Sequence, residues 1–115
     1  GMELFLGATY EDKFGHVLLC GRGGIYVEVL KDVASGLAPL SKNEALSMIK
    51  SLKSYKILKG YRKQPGVNID KYAEIMVRLS WLLRYVVEIK EIDINPLLGN
   101  ENEILAVDAR IRIEK

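Results

Sequence analysis

The residues best placed to do chemistry lie near the end of the chain, in Glu91-Ile92-Asp93-Ile94-Asn95-Pro96 and Ala106-Val107-Asp108-Ala109-Arg110-Ile111-Arg112. Both stretches alternate polar and apolar side chains with period two, and the polar run 99–103 separates them, so they predict a β-hairpin closing around Glu101-Asn102. In that register paired residue numbers sum to 203, which sets Asn95 opposite Asp108, Asp93 opposite Arg110 and Glu91 opposite Arg112. Two opposite-charge pairs and one amide–carboxylate pair then share a face, while Ile92 and Ile94 meet Ile111 and Ala109 on the apolar side. An amide oxygen beside a carboxylate is a donor set for a hard divalent cation, and Mg²⁺ commonly takes only one or two protein oxygens beside phosphates and waters. Asn95 and Asp108 are therefore the candidate metal ligands, although spacing alone fits a solvated outer face better.

Elements upstream must hold that hairpin. Residues Glu3–Tyr10 and His16–Cys20 read as an antiparallel pair joined by a polar turn. After Gly21-Arg22-Gly23-Gly24, the alternation of Ile25–Leu30 predicts a third strand carrying Glu28. Ser41-Lys42-Asn43-Glu44 has the form of a capping box and starts a helix with Leu46, Ile49 and Leu52 on its apolar stripe. Asn68 caps a longer helix whose face is Tyr72, Ile75, Met76, Leu79, Leu82, Leu83 and Val86, with Trp81 read as core. His16, the sole histidine, is next to a turn and reads as a surface residue. Gly23 and Gly24 would let backbone amides approach a phosphate, or simply make a tight connection.

Length and composition bound the possibilities. A chain of 115 residues, 49% hydrophobic and 28% charged, suits one soluble core, and the expectation is a single domain over 1–115 with Gly1 an expression scar before Met2. A formal charge of +2 gives no basis for nucleic-acid binding, and the basic cluster between Lys50 and Lys63 fits a solvated helix face. Cys20 stands alone, so no intrachain disulfide forms, and the cytoplasm is the default compartment. No apolar run is long enough to span a bilayer as a helix.

The stretch Glu91–Leu98 followed by Ala106–Ile111 resembles the end of the ATP-grasp domain of ADP-forming acetyl-CoA synthetase β subunits, and is more distantly similar to the succinyl-CoA synthetase β subunit. The likeness extends to Glu3-Leu4-Phe5-Leu6-Gly7, to 23–33, to Ala38-Pro39-Leu40-Ser41 and to 55–62, in family order, and so covers nearly the whole chain. It implies an α+β fold, a mainly antiparallel sheet of about five strands with helices on one face, forming the second half of an ATP-grasp. It implies Mg²⁺ on Asn95 and Asp108, and it adds Gly23, Gly24, Glu28 and Arg62 as candidates on the nucleotide side, with no catalytic residue supplied by this stretch.

The implied activity is that of a ligase: phosphoryl transfer between ATP or ADP, a phosphohistidine and an acyl phosphate, ending in acyl-CoA. The implied partners are the N-terminal grasp half, which carries the phosphate-gripping Lys, and a CoA-binding subunit or domain, which carries the phosphorylated His; His16 is not that residue. Self-association is a further expectation, because a lone grasp half leaves apolar surface bare. The competing reading is a degenerate half that serves assembly without turnover. Three departures from the family pattern are Lys63 where Gly is usual, His16 where Pro is common, and Ala34-Ser35-Gly36 where a Phe-Arg pair is typical.

Overall fold

In a computed structural model describing residues 1–114, six strands make one antiparallel sheet. They are β1 (Met2–Glu11), β2 (Gly15–Arg22), β3 (Val33–Leu37), β4 (Ile89–Gly99), β5 (Ile104–Ala106) and β6 (Ala109–Ile113). The order is β3-β2-β1-β4, and β5 and β6 both pair with β4. The helices are α1 (Ile25–Glu28), α2 (Lys42–Lys50), α3 (Tyr55–Leu58) and α4 (Ile69–Tyr85). Alternate residues Leu4, Leu6 and Ala8 of β1 and Leu18 and Cys20 of β2, with Ile89 and Ile92 on either side of an irregularity in β4, are buried in the core with α2 and α4. This is the expected α+β arrangement.

Both long helices begin where the caps require. The Ser41 hydroxyl accepts from Glu44 N at 3.1 Å and the Glu44 carboxylate accepts from Ser41 N at 3.0 Å, so two amides lacking helical partners are satisfied reciprocally. Asn68 Oδ1 accepts from Lys71 N at 3.0 Å to start α4. The buried face of α4 is Tyr72, Ala73, Met76, Leu79, Ser80 and Leu83. Trp81, expected in the core, lies on the outer flank, 43% exposed and stacked with Tyr85. Small Ala73 and Ser80 take the inner positions instead, where the Ser80 hydroxyl accepts from Leu40 N and donates to Val77 O.

The strand expected over Ile25–Leu30 is not formed. β2 already has β1 on one side and β3 on the other, so no open edge remains for it. Gly24 takes φ 65°, a left-handed conformation suited to glycine, and its carbonyl accepts from Val27 N and Glu28 N to wind α1. The apolar alternation therefore ends on the surface, with Ile25, Val29 and Leu30 exposed. The third strand is instead β3, whose small residues admit α2: a Cβ on Gly36 would lie 2.7 Å from Met48 Sδ and 3.1 Å from Leu40 Cδ2.

His16 also departs from its reading. It follows the same inward alternation as Leu18 and Cys20, is buried, and stacks on Tyr10 with ring centres 5.1 Å apart. Its Nε2 lies 2.5 Å from the Ile89 carbonyl oxygen, which can only accept, so Nε2 carries the proton.

Candidate metal and nucleotide site

The terminal hairpin has the register read from the sequence: Asp93 pairs with Arg110, Glu91 with Arg112, Ile92 with Ile111 and Ile94 with Ala109. The turn is tied by Asn100 Oδ1, which accepts from Asn102 N and Glu103 N. Of the two expected ion pairs, Glu91–Arg112 forms at 3.5 Å, while no pair within 4.0 Å joins Asp93 to Arg110. Ile111 pairs with Ile92 but is 53% exposed, like the rest of β6, every residue of which is exposed.

A β-bulge aims the candidate ligand. Leu4 pairs with Leu97 and Leu6 with Ile94, so Asn95 and Pro96 together oppose Phe5. Pro96 has no amide to lose at this irregular point, and its carbonyl accepts from Val107 N at 3.0 Å. Asn95 N donates to Asp108 O at 3.2 Å, which sets the two backbones side by side. Asn95 is half-buried, and Asp108 is exposed in the break between β5 and β6.

The end of β2 closes on Asn95 from the other side. Gly23 N donates to Glu3 O at 3.0 Å. A Cβ added to Gly23 would lie 3.1 Å from Asn95 Oδ1 and 3.3 Å from Glu3 Cβ, and one on Gly24 would lie 3.4 Å from Glu3 Oε2. Glycine there leaves room beside an amide oxygen, where any side chain would crowd it. Asp93, two residues along β4, contributes a buried Oδ1 without a hydrogen-bond partner among the described residues. The Asn95 amide oxygen beside the glycine backbone and the unpartnered Asp93 carboxylate oxygen on the same strand are the hard oxygen donors that suit Mg²⁺. No group of three or more His, Cys, Asp or Glu side chains able to hold a metal occurs among the described residues.

Tyr72 of α4 pins this corner from within the core. Its hydroxyl accepts from Gly21 N at 3.1 Å, and its proton lies between the carbonyls of Phe5 and Gly21. Burial raises its pKa well above the ordinary phenol range, so it remains a neutral donor. Burial likewise pushes the Cys20 thiol up to about 12, which makes it a core residue and not a nucleophile.

Of the sequence-derived candidates, Gly23, Gly24 and Asn95 come together, and Asp108 adjoins Asn95 through the backbone. Glu28 is on exposed α1, one turn beyond Gly24, and not on a strand. Arg62 is exposed in the Tyr61–Gln64 turn at φ 46°, with its guanidinium 5.4 Å from the Tyr61 ring. No hydrogen bond or ion pair links Glu28 or Arg62 to Asn95 among the described residues. Asp93 was read from the sequence only as the partner of Arg110 and Tyr72 only as a core residue of the long helix, and Glu3 was given no role at the site. Asp93 was legible as Asn95's neighbour by alternation, whereas Glu3 and Tyr72 enter only through tertiary packing.

Comparison with known proteins places this architecture. The pattern of the ATP-grasp domain matches residues 1–113, so the chain belongs to the ATP-grasp family. It is 45% identical over 111 residues to the β subunit of ADP-forming acetate–CoA ligase I from Pyrococcus furiosus, covering 96% of this chain and 48% of the relative. It is 49% identical over 101 residues to the ADP-forming 4-hydroxybutyrate–CoA ligase of Nitrosopumilus maritimus, covering 88% of this chain and 14% of that protein. The solved acetyl-coenzyme A synthetase 1 of Ca. Korarchaeum cryptofilum, in complex with coenzyme A and Mg-AMPPCP, superimposes with TM-score 0.94 at 38% identity, over 99% of this chain and 54% of that one. The chain thus matches the β-subunit region of ADP-forming acetyl-CoA synthetases and spans about half the length of that β subunit. No helix among the described residues is long and apolar enough to cross a membrane.

Proposed function

We propose that this domain supplies the metal-holding side of a Mg-nucleotide site that works in phosphoryl transfer within an ADP-forming acyl-CoA synthetase. The observation that carries the reading is the bulge at Asn95-Pro96, where the Asn95 amide oxygen lies against the Gly23 backbone and the Asn95 backbone amide donates to the Asp108 carbonyl. Asn95 and Asp108 hold the ion, and Gly23 and Gly24 leave space for an approaching phosphate. Asp93 keeps its free oxygen for a water on the ion or for an incoming donor. Mg²⁺ bound here would neutralise phosphate charge as the phosphoryl group moves. Glu28 and Arg62, exposed on separate segments, are assigned to the nucleotide side only in the assembled site. ATP or ADP, the N-terminal grasp half and a CoA-binding subunit or domain complete the enzyme, whose compartment is the cytoplasm.

The chain alone binds Mg-ATP weakly on this reading, and adding the complementary half of the grasp strengthens binding. Isothermal titration with and without that half tests it. Micromolar ATP affinity that Asp108→Ala leaves intact would contradict it. A second reading, an assembly module without turnover, draws on the uncovered apolar residues Leu105, Val107, Ile111 and Ile113. It predicts tight association with the complementary half and no response to Mg²⁺.

A further inference from the structure

The two edges of the sheet are guarded unequally. At one, β5 is only three residues long and β6 carries Arg110 and Arg112 with Glu114 beside them, and short strands and charges both keep an edge from joining another sheet. The β3 edge has neither protection. No charged residue occurs from Val33 to Ser41, and the proline of that stretch, Pro39, lies beyond the strand. Asp32, just before β3, gives no guard, because its buried carboxylate accepts from Lys53 N and Ser54 N.

The main chain of β3 is only half used. Ala38 N donates to His16 O at 2.9 Å, and bonded and unbonded pairs alternate along an antiparallel ladder. Ala34 and Gly36 therefore turn their N–H and C=O groups toward β2, while Val33, Ser35 and Leu37 turn theirs outward. Of these outward groups, Val33 N alone has a backbone partner among the described residues, Lys31 O at 3.1 Å. The helical layer leaves the edge open, with a groove of about 310 Å³ between β3 and Asn43, Ser47 and Met48 of α2. Val33 and Leu37 remain 39% and 49% exposed.

The strand is complementary to itself. Turned antiparallel about a twofold axis through Ser35, a second copy sets Ser35 against Ser35 and Val33 against Leu37 in both directions. The outward groups then meet as hydrogen-bonded pairs, Ser35 exchanging both bonds with its twin and Leu37 N donating to Val33 O. On the face away from the helices, Leu37 already lies beside Val17 in the ladder, so Val33 of the second copy lengthens an apolar row. On the helical side Ala34 meets Gly36, too small to hold the strands apart, and no like charges oppose one another. We infer that the β3 edge is the interface through which two copies of this chain form a symmetric dimer, with one sheet continuous across both. This inference does not depend on the Mg-nucleotide reading.

Sedimentation velocity of the full chain over a concentration series tests it. The mass rises from that of one chain to that of two, and added salt leaves the association in place because no ion pair is used. Val33→Lys with Leu37→Lys sets lysines opposite each other twice and raises the dissociation constant about tenfold or more. Val33→Glu with Leu37→Lys restores association, since each Glu then faces a Lys across the axis. Ile111→Lys with Ile113→Lys, at the other edge, leaves it unchanged. All the substituted side chains are exposed, and circular dichroism melts confirm folding. A monomer at every concentration, a dimer that survives the lysine pair at β3, one lost instead with the β6 substitutions, or no recovery in the Glu and Lys variant would each overturn the inference.

Discussion

The two edges of the sheet are built for different work. At the β3 edge the backbone is held from several directions: α2 packs on Gly36, Asp32 straps a neighbouring turn, and Tyr72 ties Gly21 to Phe5. At the β6 edge every residue from Ala109 to Ile113 is exposed, and the polar face carries Asp108, Arg110 and Arg112 with little beneath it. One edge is scaffold. The other is an exposed platform of polar side chains, with the unpartnered Asp93 oxygen on the neighbouring strand β4. Stability and ligand binding should therefore separate by edge.

Asp32→Ala is the most severe way to probe the scaffold edge. It strands two amides that the buried carboxylate now accepts, and chemical denaturation should show a loss of about 3 kcal/mol. Burial alone would raise the Asp32 pKa, but hydrogen bonds from Ser54 and Lys53 outweigh it and hold the group below its ordinary value of 3.8. A depressed folded pKa stabilises the protein above that ordinary value and loses the contribution as pH falls through the folded one. The acid limb of a stability–pH profile should accordingly be steeper for the parent chain than for Asp32→Asn.

Tyr72→Phe keeps the ring and removes the hydroxyl shared by Phe5 and Gly21, so it should cost about 2 kcal/mol in the same measurement. Because the hydroxyl pins the corner next to Gly23, this variant should also weaken Mg-nucleotide binding. A variant that loses stability yet binds normally would break the proposed link between core and site. Lys63→Gly should move stability the other way, by about 0.5 kcal/mol. Lys63 has φ 64°, where a side chain is strained, and the relief is partly offset by the greater freedom of glycine in the unfolded chain. Asp108→Ala should have the smallest effect on folding, within about 0.5 kcal/mol, while removing the Mg²⁺ dependence of nucleotide binding. A large folding loss there would place Asp108 in the scaffold and collapse the contrast between the edges.

The parts of this molecule legible in its sequence were those fixed by local or nearest-neighbour chemistry. The Ser41–Glu44 box and the Asn68 cap satisfy their own helix starts, and the hairpin register follows from side chains that must face one another. What was misread depended on who the neighbours would be. Ile25–Leu30 has strand composition but no free edge to join. His16 looked like a turn residue because its partner, Ile89 O, is distant in sequence, although its alternation with Leu18 and Cys20 already pointed inward. Trp81 was read as core together with the Met and aromatic stripe, when its position around α4 set its exposure. At the site, Asn95 and Asp108 could be paired from the register, but the bulge, the Gly23 cradle and the Glu3 contact arise from β1 lying between β2 and β4.

The central claim is that Asn95 and Asp108 converge on one divalent ion, and Mn²⁺ as a paramagnetic substitute for Mg²⁺ tests it most directly. In a titration followed by ¹⁵N-resolved NMR, with nucleotide present, the Asn95 side-chain amide and the backbone amides of Gly23, Asn95 and Asp108 should broaden first and together, and Asp108→Ala should abolish the effect. Broadening that begins elsewhere, or that persists unchanged in Asp108→Ala, would contradict the account.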